Sequence, residues 1–254
     1  MENTNQNEFI LNIKAALRKS PAMDSAGSTK IFTRNDKDKD AQNILVTPNP
    51  IKDRKTLLEL LVYQANLLNI NIFPKATTRM AAKAIKKLIQ QKSPEWGEKK
   101  SIIKWKHPLI DALKLEEQFE NDDVTLYTTE SECIPSDNDR EIHRANLIES
   151  YVGITSADFC VAESATLILR TRPNQPRAVS LVPSIHIAVI NVEQILENLK
   201  ELYFRLIHDP KEKQLGLTNC MTFISGPSKT GDIELVMVHG AHGPRELILY
   251  VITG

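Results

Sequence analysis

The sequence predicts an α/β fold: one three-layer domain with a mainly parallel central sheet, preceded by a helical N-terminal extension. Three observations carry this expectation. From residue 52 onward, short apolar runs alternate with amphipathic stretches of helical period, the order that builds strand–helix–strand units. The run "SIHIAVIN" at 184–191 sets Ile185, Ile187 and Val189 in alternation with His186 and Ala188, and "RELILYVI" closes the chain as a second strong strand. The 254 residues, 41% hydrophobic and 25% charged, are enough for one sizeable core.

Taken in order, residues 7–19 put Phe9, Ile10, Ile13, Ala16 and Leu17 on one helical stripe that stops before Ser20-Pro21. The polar stretch 20–43 has no sustained period and reads as a flexible arm, so the domain boundary falls between 1–50 and 51–254. Leu57, Leu58, Leu61, Val62, Ala65 and Leu68 then give a helix over 53–69, followed by the strand "INIFP" and a helix from Thr77 to Gln91. "SIIKW" reads as a strand, "PLIDALKLEEQFE" as a helix, "VTLY" as a strand, and "REIHRANLIESYVGI" as a helix running up to Gly153. "ADFCVAES" and "ATLILRT" are two apolar segments joined by a polar turn. After "SIHIAVIN", "VEQILENLKELYFRLI" has the period of one long helix, and "TNCMTFIS" reads as a strand.

Composition narrows the functions. Lys plus Arg number 32 and Asp plus Glu 32, a balance that argues against bulk attraction to nucleic acid or anionic lipid. Aromatic residues, at 6%, offer few stacking platforms for single strands. No stretch has the length of a membrane span and the N-terminus lacks a signal-peptide core, so a cytoplasmic protein is expected. Cys133, Cys160 and Cys220 are widely spaced and form no C-x-x-C, so this chain alone builds neither a zinc ribbon nor an iron–sulfur cluster.

The densest chemistry lies in "GPSKTGDIELVMVHGAHGP" at 226–244, which holds four of the nine glycines and two of the six histidines. It follows the apolar run "MTFI". Gly226 gives the backbone freedom, Pro227 stiffens the turn, and Ser225, Ser228 and Thr230 offer hydroxyls. If "KTGDIELVM" opens a helix, the amides of 228–231 and the helix N-terminus form an anion cradle, with Asp232 in the first turn and Glu234 two residues on. Simple helix capping by Ser228 or Thr230 explains the same residues. Neither a Walker A loop nor a G-x-G-x-x-G fingerprint is present. His239 and His242 bracket Gly240-Ala241, with Gly243 following. They read as hydrogen-bond donors of an active-site loop or as structural caps. With His186 and Glu163 they have the chemistry of zinc ligands, but the spacing matches no known ligand pair, and no metal is expected. Glu163, in the small-residue turn of "VAESATLILR", is a base, nucleophile or substrate anchor, or else a surface partner of Arg170 or Arg172.

The blocks "GITSADFCVAESATLIL", "VSLVPSIHIAVI" and "ISGPSKTGDIELVMVHGAHGPRELILYVI", in that order, resemble the signature blocks of the LUD family, most clearly over 140–254. The helix "NEFILNIKAAL" is similar to that family's opening helix. One departure is visible: Gly231 stands where the family pattern has alanine. The resemblance implies a fold similar to the NagB/RpiA/CoA-transferase group. It also implies a role beside two partner subunits, of A and B type, that carry iron–sulfur clusters and together oxidise L-lactate to pyruvate. This chain, lacking the cluster cysteines, would be the subunit with no cofactor of its own. It would bind a small anionic metabolite among Glu163, His186, 225–232 and 239–244, with Glu163, His186 and His242 as candidate catalytic groups. The alternatives are a stand-alone CoA-transferase- or isomerase-like enzyme using Glu163 as nucleophile, and a non-catalytic metabolite-binding scaffold.

Overall fold

A computed structural model describes residues 53–254 apart from 96, 131–136, 217, 232–236 and 240–241. The predicted N-terminal helix and arm lie outside the described residues. Six strands form the central sheet: β1 (Ile70–Lys75), β2 (Lys100–Lys104), β3 (Val124–Thr128), β4 (Val152–Ser156), β7 (Ile185–Asn191) and β12 (Glu246–Ile252). All run parallel, in the order β1-β12-β7-β4-β2-β3. A parallel sheet is covered on both faces, which is why these strands are near-continuous apolar runs; β4 is buried from end to end.

The pleat splits each strand between two cores. Ile187 and Val189 of β7, with Ile248 and Tyr250 of β12, face helices α2 (Thr78–Gln91), α3 (Pro108–Asp111) and α4 (Leu115–Phe119). α2 starts where the Met80 N–H donates to the Thr77 hydroxyl at 3.2 Å, and it buries Ala81, Ala82, Ile85 and Ile89. The single helix expected over 108–120 is broken because Lys114 takes φ 49, a left-handed conformation that no helix interior accepts.

Ala188 and Ile190, with Leu247, Leu249 and Val251, face the opposite way. They meet helix α1 (Arg54–Leu67), through Leu57, Leu61 and Ala65, and a second sheet. Full burial of each such leucine or isoleucine contributes about 1.5–3 kcal/mol. The second sheet orders β8-β5-β6-β9: β5 (Phe159–Val161) and β6 (Thr166–Arg170) are the expected hairpin, β9 is Met221–Ile224 and β8 is Ile195–Leu196.

Strand β8 corrects the reading of 192–207 as one helix. Ile195 and Leu196 pair beside Cys160 and Val161 and are fully buried there. The Gln194 side chain holds the turn by accepting from the Asn191 N–H at 2.6 Å. A helix, α6 (Leu199–His208), begins only after Asn198, whose side chain accepts from the Glu201 N–H at 3.1 Å. α6 covers the outer face of the small sheet through Leu202, and a short α7 (Pro210–Leu215) follows it.

The helix expected from 140 to Gly153 also ends earlier. α5 spans Asp137–Glu149, and Val152 already belongs to β4. Gly153 is tied to its place by packing: a Cβ there would lie 1.9 Å from the Val179 carbonyl oxygen, so only glycine lets the 3₁₀ turn Arg177–Ser180 press on the sheet.

Candidate functional site

Strand β9 runs antiparallel to β6 and delivers 225–228 beside the amino ends of β7 and β12. The general expectation for parallel sheets, a site beyond the carboxyl ends, does not describe this segment. Gly226 makes the bend with φ 112, and a Cβ on it would meet the Leu68 carbonyl oxygen at 3.2 Å. The chain then returns. The Ser228 N–H donates to the Pro244 carbonyl at 2.7 Å, the His242 N–H donates to Ser228 Oγ at 3.4 Å, and Gly243 packs against the Ser228 side chain.

The predicted helix at 229 is absent. Residues Lys229–Gly231 form β10 and pair antiparallel with β11, Met237–His239. Glycine at 231 weakens a helix, and β-branched Val238 favours the strand that captures the segment. The anion cradle built on a helix N-terminus is therefore overturned: the Ser228 amide is already bonded, and 229–231 enter a strand ladder. Thr230 and His239 are placed by register, Thr230 opposite Val238 and His239 opposite Lys229. Asp232, Glu234 and Gly240 lie outside the described residues.

What the fold builds instead is a cleft of about 260 Å³. It brings together His186, Ser225, Gly226, Pro227, Ser228, His242 and Gly243, all nominated from sequence, with Ser180 and Leu181 of the neighbouring turn added. His186 stands on β7 in register with Gly153 and Leu247, and is 1% exposed. Its Nε2 lies 2.8 Å from the Thr155 hydroxyl. Its Nδ1, equally buried, has no partner among the described residues. Burial pushes the imidazole down to about 3, so the ring is neutral at physiological pH. Ser225 Oγ is 2.7 Å from Thr166 Oγ1, which in turn lies 2.8 Å from Ser164 Oγ, so a row of hydroxyls leads from the cleft to the β5–β6 turn. Ser228 Oγ accepts from His242 and keeps its own proton to donate. His242 itself is exposed.

Glu163 sits on that β5–β6 turn. Its N–H donates to the Glu197 carbonyl at 3.0 Å, and its side chain is exposed and outside the cleft lining. Its alternative role as a partner of Arg170 or Arg172 is not realised. Both arginines bond Asp158, at 2.9 and 2.5 Å, and Arg170 also bonds Glu212 at 2.5 Å. This cluster lines a cavity of about 380 Å³ at the carboxyl ends of β2 and β4, together with His107, whose pKa is lowered chiefly by burial. Sequence reasoning missed Asp158. The hairpin reading of 157–171 held the signal, since pairing Phe159 with Ile168 brings "AD" alongside "RTR". Among the described residues no group of three or more His, Cys, Asp or Glu side chains has the arrangement of a metal site.

Comparison with known proteins falls on this framework. A family model described as the LUD domain matches residues 58–252. Lactate utilization protein C of Halalkalibacterium halodurans is 29% identical over 153 residues, which cover 60% of this chain and 63% of that protein. Lactate utilization protein C of a Geobacillus species is 31% identical over 156 residues, 60% of this chain and 62% of that protein. The chain thus spans less than two thirds of the length of either relative. A crystal structure of a DUF162 family protein from Deinococcus radiodurans superimposes with a TM-score of 0.52 at 21% identity, over 80% of this chain and 99% of that one, and so shares the fold.

Proposed function

The chain belongs to the LUD domain family, and from that premise we propose that it acts in lactate utilization as the cluster-free, cytoplasmic subunit of an iron–sulfur system that oxidises L-lactate to pyruvate. In this reading the cleft at 225–228 and 242–244 holds the small carboxylate. The two electrons leave to clusters on partner subunits of A and B type. The relatives named for lactate utilization support the process. The observation that carries the site is the buried His186 Nδ1 without a partner among the described residues.

An unmet buried polar atom costs about 1–3 kcal/mol, which a ligand atom placed against it recovers. With the Thr155 hydroxyl donating to Nε2, the ring carries its proton on Nδ1 and offers it to a carboxylate or 2-hydroxy oxygen. Ser228 supplies a second donor. Among the described residues the lining contains no lysine or arginine, and the His186 ring is neutral, so these groups meet the anion by hydrogen bonds. The free protein's His186 is a poor proton acceptor. The cleft is also of the right scale: about 260 Å³ is smaller than the roughly 300–1,000 Å³ of sites for drug-sized ligands. A CoA-transferase-like use of Glu163 has less support, because that carboxylate does not line the cleft.

The test is His186→Gln, which keeps an amide to bond Thr155. In the assembled system, lactate-dependent dye reduction should fall by about 10²-fold, while co-purification with the cluster-bearing partners is retained. An undiminished rate refutes the site. Failure of the wild-type chain to co-purify with such partners refutes the subunit role.

A further inference from the structure

Helix α5 differs from α1 in what it turns toward the sheet. On α1 the stripe at spacing i, i+4, i+8 toward the sheet is Leu57, Leu61 and Ala65. On α5 the stripe i, i+3, i+4, i+7 is Arg140, His143, Arg144 and Leu147, and the helix fully buries none of its residues. Beneath that stripe lies a cavity of about 360 Å³ at the carboxyl ends of β2 and β3. Its floor is apolar: Ile103 from the sheet, with Pro176, Ala178 and Val179 from the 3₁₀ turn. Arg172, bonded to Asp158 at 2.5 Å, also lines the space, and among the described residues no aspartate or glutamate does. In a chain whose charges balance overall, three guanidinium groups over one apolar floor are a local concentration. Arg144 has no ion pair among the described residues. Arg140 pairs with the exposed Asp137 of its own turn, at 3.3 Å.

An amphipathic helix seated for packing alone would put leucine and alanine on this stripe. Cations over an apolar base instead complement a ligand with an anionic head and an apolar body, and the carboxyl edge of a parallel sheet is where such ligands bind. We infer that the cavity under α5 is a second ligand site, for an organic anion carried on an apolar body larger than lactate. Arg144 holds the anionic group, Arg172 adding only the N–H groups that its bond to Asp158 leaves over, and Ile103, Leu147 and Val179 hold the body. This site is separate from the His186 cleft and does not depend on the function proposed for it.

The full chain is titrated by calorimetry with octanoate, an acyl carboxylate, and with AMP, an aromatic phosphate, each beside its uncharged analogue, octanamide or adenosine. One of the two anions should bind with a Kd of about 10⁻⁴ M and its uncharged analogue at least about tenfold more weakly. The arm that binds identifies the body as acyl or aromatic. Arg144→Glu, and independently Ala178→Leu, which fills the floor, should each weaken binding by about tenfold or more without lowering Tm. His186→Gln should leave it unchanged. Should Arg144→Glu fail to fold, Ala178→Leu and the uncharged analogues decide. The inference is overturned if neither anion binds up to about 10 mM, if charged and uncharged probes bind alike, or if both folded variants bind as the parent does.

Discussion

At the carboxyl edge of the central sheet, Asp158 and Arg170 are buried, with side chains 8% and 3% exposed, and each meets an opposite charge. At the amino edge His186 is as deeply buried, yet one of its two ring nitrogens meets nothing among the described residues. Both edges take polar atoms out of water, and they settle the resulting cost differently. The ionic cluster closes on itself: Arg170 bridges Asp158 and Glu212, and Arg172 adds a second cation to Asp158. The histidine is held neutral and lines a cleft, with one ring nitrogen unpartnered among the described residues. A closed network is what structure needs. An open buried atom is a standing cost that a ligand removes.

The largest effect should come from opening the closed edge. Asp158→Asn leaves Arg170 and Arg172 facing an amide, and breaking one partner out of a buried pair costs about 3–5 kcal/mol. Urea denaturation followed by circular dichroism measures it. A loss below about 1 kcal/mol would show that Glu212 and water compensate, and the contrast between the edges would weaken.

The second effect lies in pH. Native His186 titrates near 3 and the unfolded residue near 6.5. Below 6.5 the unfolded chain takes a proton that the native ring refuses, so the unfolded state binds more protons and stability rises with pH across this window. The contribution is complete above 6.5 and is lost as pH falls toward 3, amounting to about 3 kcal/mol by pH 4. Denaturation midpoints of the parent and of His186→Gln, compared between pH 4 and 7, isolate it. The parent should lose stability more steeply on acidification, and equal slopes would mean that the ring is hydrated and not sealed.

The two edges also differ in how far the sequence disclosed them. Most strands were legible because parallel strands buried on both faces must be largely apolar, as "SIHIAVIN" and "RELILYVI" are, whereas the strand at Val152–Ser156 was hidden in the expected helix before it. That 225–228 and 242–243 come together in one cleft was legible because glycine, proline and hydroxyl residues crowd there. The failures share one cause, a partner distant in sequence. Ile195 and Leu196 fit a helical period, and only Cys160 and Val161 make them a strand. Lys229–Gly231 looked like a helix start until Met237–His239 paired with it. Asp158 needed Glu212's arginine partner, and the state of His186 needed Thr155, 31 residues away. Periodicity reports a residue's face and says nothing of what lies opposite.

The smallest change is the sharpest separator of structure from function at the amino edge. Ser228→Ala removes a hydroxyl that accepts one long bond, 3.4 Å from the His242 N–H, while the backbone bond from the Ser228 N–H to Pro244 at 2.7 Å survives. Stability should therefore fall by no more than about 0.5–1 kcal/mol. If the cleft holds a carboxylate through Nδ1 of His186 and the Ser228 hydroxyl, affinity for L-lactate or pyruvate should drop by about five- to tenfold, the loss of one hydrogen bond to a charged group. A calorimetric titration paired with a Tm measurement reads both at once. A fall in Tm of many degrees with unchanged affinity would make Ser228 a structural clip like the ionic cluster opposite, and would remove it from the carboxylate's donors.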